Sequence, residues 1–275
     1  MLFLVSTPIG NLEDISLRAL KVLQQVDVIA AEDTRTTKQL FTLLGIKGKS
    51  FVAYHEHSTE TAREKLLEKL RSGLDVALVC DAGTPLISDP GYKLVRQVRE
   101  QGTAVTTVPG ANAVLSALQL SGLPSDSFYF GGFLPSKTGV RKKTLAAVGT
   151  ISATLIFYDT PNRLEASLQD ILTELGNRTV AVVREITKKF EQVVCKKCTD
   201  LLEYYRENGA PKGELVLVID RAEEKTETEG GDIKKELKVL LKKHTVKEAV
   251  QLMAAEKKLS KKSVYQYALQ VVNEE

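Results

Sequence analysis

The sequence predicts an α/β protein made of two α/β domains, the first around a mainly parallel sheet and the second around a mixed sheet, with a short helical C-terminal tail. Strand and helix patterns alternate up to residue 120, as is typical of βα units. Beyond that point strand patterns outnumber helical ones. A lysine-rich segment with helical spacing ends the chain.

In the first domain, residues 1–120, short apolar runs predict buried strands and amphipathic segments between them predict helices. The predicted strands are 2–6, 26–31, 51–54, 76–79 and 105–108. The predicted helices are 15–24, 37–44, 59–71, 92–99 and 113–120. The third of these has Ser58 or Thr59 as its N-cap and Gly73 as its stop.

In the second domain, residues 121–222, the predicted strands are 128–130, 154–158, 179–183, 192–195 and 215–219. The predicted helices are 142–148, 163–175 and 199–208. The short separation of segments 180–185 and 191–195 favours an antiparallel pair and therefore a mixed sheet. A polar linker, 223–231, precedes the tail, residues 231–275, with predicted helices at 233–242, 246–256 and 261–271.

Charge is unevenly distributed along the chain. The net charge is +3, and residues 231–275 hold ten Lys against six acidic residues, a net of +4, so the remainder sums to −1. Such a tail could meet a polyanion, or it could be a charge-laced cap that packs on its own protein. No segment resembles a membrane span or a secretory signal, which predicts a cytoplasmic protein without membrane association.

Metal and redox chemistry are not predicted. Cys195 and Cys198 have CxxC spacing, but no second pair or nearby His completes a zinc set, so two incidental thiols are the favoured interpretation. His55 and His57 flank Glu56, and a polar wall of a site is favoured over a metal centre there. No GxGxxG follows the first strand, and no P-loop motif occurs.

Loops at the carboxyl ends of the parallel strands predict where a ligand binds, because these ends share one edge of the sheet. The most informative loop is 80–91, in which Gly83 and Gly91 allow close backbone approach while Pro85 and Pro90 stiffen the path. The alternative is an ordinary strand-to-helix turn. The other loops of this edge are 7–14, 32–35, 55–57 and 109–113.

Two charged segments have two interpretations each. In residues 32–35, Asp33 or Thr34 could simply cap a helix with local ion pairs, or Arg35 could bind a phosphate while a carboxylate handles a hydroxyl proton. Residues 184–191 could form only a charged hairpin, or they could handle an anionic substrate.

Several motifs in order carry a family resemblance: STPIGNLEDIS, AEDTR, HEH, DAGTPLISDPG, PGANA, FYDTPNR, REITKKFE and KGE. They resemble the class III, tetrapyrrole-methylase-like superfamily of S-adenosylmethionine-dependent methyltransferases. Within it they are most similar to the bacterial 16S ribosomal RNA cytidine 2′-O-methyltransferases of the decoding site, over residues 1–222. Thr84 stands where many relatives have Asp, which weakens a porphyrin-type assignment.

The resemblance implies methyl transfer from S-adenosylmethionine, bound in the cleft between two domains, to a ribose of 16S rRNA, within the small ribosomal subunit, by a homodimer. The cofactor-binding residues carried over are Pro8, Gly10, Asp81, Ala82, Gly83, Ile87, Ser88, Asn112, Ala113, Tyr158 and Pro211. On the substrate side, Arg35 and Lys188 are expected to hold phosphate, and Asp33 or Glu185 to accept the proton. The alternatives are a small-molecule methylase of the same fold and a non-catalytic RNA-binding protein.

Overall fold

Two compact units divide the chain, Met1–Ala222 and Glu223–Glu275. The computed structural model describes residues 1–56, 58–222, 236–256, 264–265, 267–269 and 271. The first unit contains both sheets, and the second contains helices with a small core of their own.

The first sheet is parallel throughout, with the strand order β3-β2-β4-β1-β5. Its strands are β1 (Leu2–Val5), β2 (Val28–Ala31), β3 (Ser50–Ala53), β4 (Val76–Val79) and β5 (Val105–Val108). Both β2 and β4 are buried along their whole length, which explains why they consist of apolar residues without alternation. The predicted parallel sheet is confirmed.

Helices cover both faces of this sheet. They are α1 (Leu17–Gln25), α2 (Thr34–Leu43), α3 (Glu60–Arg71) and α4 (Tyr92–Glu100). Helices α1 and α2 pack on one face and α3 and α4 on the other. Side-chain caps fix the starts of three of them, since Ser16, Asp33 and Thr59 each accept a backbone N–H of the first turn.

The second sheet is mixed, in the order β6-β7-β10-β8-β9, and only the β6–β7 pair is parallel. Its strands are β6 (Phe128–Phe133), β7 (Thr154–Asp159), β8 (Thr179–Arg184), β9 (Gln192–Lys197) and β10 (Leu215–Ile219). The predicted mixed sheet and the antiparallel β8–β9 pair are confirmed. One face packs against α6 (Thr138–Val148), α7 (Leu164–Leu175) and α8 (Cys198–Asn208).

Helix α5 (Ala113–Ser121) covers the other face of the second sheet, where Val114, Ala117 and Leu118 pack on apolar residues of β7, β8 and β10. The chain therefore passes from the first sheet to the second in the loop between β5 and α5. The predicted domain boundary at residue 120 assigns α5 to the first domain; the boundary itself stays a prediction.

Several local features differ from the expected pattern. Single-turn helices form at Leu12–Asp14 and Pro161–Arg163. Strand β6 extends to Phe133 through an irregularity in its pairing with β7. Helix α6 begins at Thr138 rather than at residue 142, and Arg141 in its first turns is buried and paired with Asp170. Polar residues such as these break the apolar periodicity on which the predicted boundaries rest.

In the second unit, residues 236–241 are helical and α9 spans Val246–Glu256, as predicted for the middle helix of the tail. Residues 264–265, 267–269 and 271 are also helical, whereas the rest of the two outer predicted helices lies outside the described residues. Leu237, Met253 and Ala268 belong to the buried cluster of this unit. Among the described helices, none is both long and apolar enough to cross a bilayer.

Candidate active site

Loops after the neighbouring strands β1 and β4 are tied directly together. Thr7 and Gly83 form an isolated antiparallel bridge, in which the Thr7 N–H donates to the Gly83 carbonyl at 2.8 Å and the Gly83 N–H donates back at 3.1 Å. The Thr7 hydroxyl also donates to the Cys80 carbonyl at 3.2 Å. The first and fourth loops of the sheet edge thus form one structure.

Thr84 joins a third loop to these two. Its hydroxyl donates to the Ala111 carbonyl at 3.1 Å, and it accepts hydrogen bonds from the Ser6 hydroxyl at 3.3 Å and the Asn112 side-chain amide at 3.2 Å. The Asn112 side chain in turn caps α5 by accepting the Leu115 N–H. The hydroxyl at position 84 therefore fixes the point where the chain enters the second sheet.

The loop after β2 completes this edge. The Asp33 N–H donates to the Asp81 carboxylate at 3.1 Å, which places the end of β2 beside the loop after β4. The convergence of these loops, predicted from the parallel topology, is confirmed for the strands β1, β2, β4 and β5.

Residues 81–91 hold an unusual backbone. Leu86 and Ser88 have positive φ angles of 74° and 62°, which side chains other than glycine adopt at a cost. Gly91 has φ 138°, and a Cβ there would lie 2.7 Å from Leu78 Cδ2 and 2.9 Å from Leu86 Cδ1. A larger residue at this position would therefore be strained. The close contact of the Gly91 backbone with Leu78 and Leu86 helps to hold the loop in this conformation.

A cavity of about 430 Å³ lies where this loop faces the second sheet. Eight of the eleven predicted cofactor-binding residues line it: Asp81, Ala82, Gly83, Ile87, Ser88, Asn112, Ala113 and Tyr158. Pro8, Gly10 and Pro211 do not, although their neighbours Ile9 and Gly213 do. Sequence reasoning did not select Glu32, Thr84, Asp89, Phe133 and Asp159, which also line it.

Three carboxylates of the lining have raised pKa values. Burial is the main cause for Glu32, Asp81 and Asp89 alike. Repulsion by nearby carboxylates adds to it, chiefly from Asp89 and Asp81 on Glu32, from Asp33 on Asp81, and from Asp81 on Asp89. Within the described part of the chain, none of the three forms an ion pair with a Lys or Arg side chain. The cavity is therefore acidic, and these three carboxylates hold protons more tightly than exposed ones do.

Asp159 is the most enclosed acid of the lining. Its Oδ1 accepts the Thr160 N–H at 2.8 Å and pairs with Arg163 at 2.9 Å, whereas its buried Oδ2 has no hydrogen-bond partner among the described residues. An unpartnered buried acceptor is costly. A ligand that donates a hydrogen bond at this point would remove that cost. Burial also raises the pKa of the neighbouring Tyr158 to about 12, so its phenol is neutral.

Asp33 and Arg35, predicted for the substrate side, are paired with each other. Asp33 Oδ2 lies 2.8 Å from an Arg35 guanidinium nitrogen, and Asp33 also caps α2. The Arg35 side chain, 87% exposed, holds the pKa of Asp33 down at about 2 through its hydrogen bond. The helix-cap geometry considered for this segment is present, and neither residue lines the cavity.

Glu185 and Lys188 form a second neutralised pair, in the turn between β8 and β9. Lys188 Nζ lies 3.0 Å from Glu185 Oε1 and 2.8 Å from Glu214 Oε2. The Glu214 N–H and Lys188 lower the pKa of Glu185. The Thr187 hydroxyl donates to Asp14 at 2.6 Å, so the turn reaches the loop after β1. Glu185 and Lys188 lie outside the cavity lining, and their predicted roles stay predictions.

The remaining candidates lie away from the cavity. His55 is exposed, Glu56 is exposed, and His57 lies outside the described residues. Cys195 is exposed on β9, whereas the buried Cys198 thiol donates to the Leu168 carbonyl at 3.2 Å. Among the described residues, no group of three or more His, Cys, Asp or Glu could hold a metal ion.

Comparison with known proteins identifies the family. Residues 1–202 match the family model described as Tetrapyrrole (Corrin/Porphyrin) Methylases. A protein of Vibrio cholerae named ribosomal RNA small subunit methyltransferase I is 45% identical over 100% of this chain and 96% of its own length. The chain therefore belongs to the tetrapyrrole methylase family. A protein of the same name from Escherichia coli O157:H7 is 44% identical over 98% and 94% of the two chains.

Solved structures carry the same fold. The uroporphyrin-III-C-methyltransferase of Thermus thermophilus matches with a TM-score of 0.56 at 21% identity, over 80% of this chain and 94% of its own. A structure of that enzyme with S-adenyl homocysteine matches with a TM-score of 0.54 at 18% identity, over 80% and 97%. The predicted fold and family are confirmed. The chain is a methyltransferase, and its cofactor is S-adenosylmethionine.

Proposed function

We propose that this chain methylates 16S rRNA, at the ribose 2′-hydroxyl of a cytidine in the decoding site. The observation that carries the proposal is the likeness to the Vibrio cholerae ribosomal RNA small subunit methyltransferase I over the full length of this chain. The eight motifs quoted above support the finer statement, because they resemble cytidine 2′-O-methyltransferases. The small ribosomal subunit as substrate, a homodimer and a cytoplasmic location stay predictions.

The cavity suits the cofactor chemically. S-adenosylmethionine, when bound, supplies an electrophilic methyl group on a positively charged sulfur. The acidic lining of Glu32, Asp81 and Asp89 favours a cationic ligand, because opposite charges attract strongly in a partly desolvated site. The unpartnered Asp159 Oδ2 accepts a hydrogen bond from any amine or hydroxyl presented to it.

We expect the cofactor to bind to residues of three loops that are hydrogen-bonded to one another and to residues of the second sheet. The backbone at Asp81, Ala82 and Gly83, together with Ile87, Ser88, Asn112, Ala113 and Tyr158, forms the proposed cradle. Thr84 and the Thr7–Gly83 bridge fix these loops before any ligand arrives. The loops therefore lose little conformational entropy on binding. Such preorganisation is what an in-line displacement needs, because the reacting atoms must be held collinear.

Glu32 is the proposed acceptor of the hydroxyl proton. A ribose hydroxyl is a weak nucleophile, and a carboxylate with a raised pKa is a better base than one with a lowered pKa. Glu32 lines the cavity and its pKa is raised, mainly by burial. Asp33 and Glu185 have lowered pKa values because Arg35 and Lys188, respectively, hold their ionised forms. These two acids therefore serve better as anchors for their cations.

Arg35 and Lys188 are proposed to contact RNA phosphates. Arg35 is exposed, and its planar guanidinium can bind a phosphate with two hydrogen bonds. Lys188 lies on the turn that reaches the loop after β1. Cations near an acidic cavity would guide the phosphate backbone past it while a single nucleotide enters.

The test is transfer of labelled methyl groups from S-adenosylmethionine to small ribosomal subunits that lack their native modifications. We expect label in 16S rRNA, on a ribose, mapped to a decoding-site cytidine by nuclease digestion and mass spectrometry. Label on a base, or at a ribose elsewhere in 16S rRNA, would contradict the finer proposal. Label in a tetrapyrrole substrate with none in RNA would replace it with a small-molecule methylase.

A further inference from the structure

Phe133 is an exposed aromatic residue at the wall of the cavity. Its side chain lines the cavity, yet 60% of the residue is accessible to solvent. Among the lining residues, Ile87, at 41%, is the other large hydrophobic residue that is exposed. Exposed apolar side chains beside a cleft mark a contact surface more often than single ones elsewhere do.

A β-bulge turns Phe133 toward the cavity. The pairing of β6 with β7 shifts register between Phe130 and Phe133, across Gly131 and Gly132. A Cβ at Gly131 would overlap the ring of Phe157, and Gly132 has φ 69°, so both positions require glycine. Bulges of this kind re-aim a side chain beside active sites. The two glycines before Phe133 therefore allow the bulge that turns its ring toward the cavity.

The ring is held in place from beneath. It meets Tyr158 edge to face, with centroids 5.1 Å apart and planes at 61°. The next residue, Leu134, is buried, and its N–H donates to the Tyr158 carbonyl at 2.9 Å. Phe133 thus stands on the wall of the cavity with its backbone fixed on one side by β7.

Arg141 fixes the chain on the other side. This residue is 1% exposed and pairs with Asp170 at 2.7 Å. Its guanidinium also donates to the carbonyls of Pro135 and Ser136, both at 3.2 Å. A buried ion pair adds little net stability, so its role here is better understood as holding the segment after Phe133 in one conformation. The result is a rigid, exposed aromatic ring.

We propose that Phe133 forms a stacking surface for the target nucleobase of the RNA. This inference rests on the proposed function. Single-stranded RNA bases are commonly recognised by stacking on exposed aromatic side chains. The occupant is the substrate base rather than the adenine of the cofactor because Phe133 remains largely open to solvent, where a macromolecule docks. Exposed Lys137 and Lys143 on the following segment add positive charge for the flanking phosphates.

Steady-state kinetics with small ribosomal subunits, alongside calorimetric titration of S-adenosylhomocysteine, test the inference. Stacking one base on an aromatic ring corresponds to roughly a 5- to 150-fold effect. Phe133→Ala should therefore raise KM for the subunits by about that factor and leave the Kd for S-adenosylhomocysteine unchanged. Phe133→Tyr, which keeps an aromatic face, should restore KM to within about threefold of the wild-type value.

Phe128→Ala is the matched control, since Phe128 is also exposed, begins the same strand and does not line the cavity. Its KM should equal that of the wild type. A weaker Kd for S-adenosylhomocysteine in Phe133→Ala would assign the ring to the cofactor, and a changed oligomeric state would assign it to a contact between copies; each overturns the inference. An unchanged KM in Phe133→Ala would overturn this inference and leave the proposed function standing. Absence of label in RNA with the wild-type chain would overturn the proposed function as well.

Discussion

The loop of residues 81–91 and the turn of residues 185–191 are built alike and behave differently. Each contains two non-glycine residues with positive φ, Leu86 and Ser88 in the first and Glu185 and Thr187 in the second. Each is tied to the loop after β1, the first through the Thr7–Gly83 bridge and the second through the Thr187–Asp14 hydrogen bond. Backbone strain at both places indicates that the surrounding structure holds them in shape.

Their carboxylates differ in what stands beside them. Glu185 has Lys188 within 3.0 Å and a lowered pKa. Asp81, Asp89 and the neighbouring Glu32 have raised pKa values, mainly because they are partly buried, and repulsion by nearby carboxylates adds to this effect. A carboxylate is therefore suited to accept a proton only where no cation neutralises it.

The largest expected difference between the two groups of carboxylates is in turnover. Glu32→Gln removes the proposed base without changing side-chain size and should lower kcat about 100- to 10,000-fold. Asp33→Asn keeps the α2 cap, and Glu185→Gln keeps the size of its side chain, so both should stay within about tenfold of the wild type. Single-turnover methylation of small subunits measures all three. A larger loss in Glu185→Gln than in Glu32→Gln would reverse the assignment.

A smaller effect concerns stability. Lys188→Met leaves Glu185 partly buried without its cation and should reduce the free energy of unfolding by about 1 to 2 kcal/mol. Lys189→Met is the control because Lys189 contacts only the exposed Phe190 ring among the interactions described for it. Urea denaturation followed by circular dichroism measures both variants. Equal stabilities would show that the pair contributes nothing to the turn.

The smallest effect is the pH dependence of stability at Glu32. Its raised pKa means that the folded state binds the proton more tightly than the unfolded state, so stability falls as pH rises through the interval between the two pKa values. Glu32→Gln escapes this loss and should raise Tm at pH 7 by about 1 to 2 °C, the effect being reduced by solvent screening.

Thermal melts from pH 3 to pH 8 check this expectation. The Tm difference between Glu32→Gln and the wild type should shrink at the acid end, where the wild-type carboxyl is protonated in both states. A Tm difference that does not change with pH would show that it does not arise from the titration of Glu32.

Apolar periodicity and family motifs in the sequence determined most of the fold. The strands of both sheets followed from apolar runs such as 76–79 and 215–219, because such runs are typical of buried strands. The parallel first sheet followed from the alternation of strands and helices, and the antiparallel β8–β9 pair followed from the short separation of its two segments. The convergence of loops beside the cavity also followed, since parallel strands place their following loops together. Eight predicted cofactor residues accordingly line the cavity.

Only the tertiary structure decided which charged residues are neutralised and which side chains are turned outward. Asp33 and Glu32 are adjacent in sequence, yet one pairs with Arg35 and the other faces the cavity acids. Phe133 reaches the cavity through a bulge that depends on Phe157, a residue of another strand. Periodicity reports which face of its own element a residue occupies, whereas pKa values and bulges depend on neighbours distant in sequence.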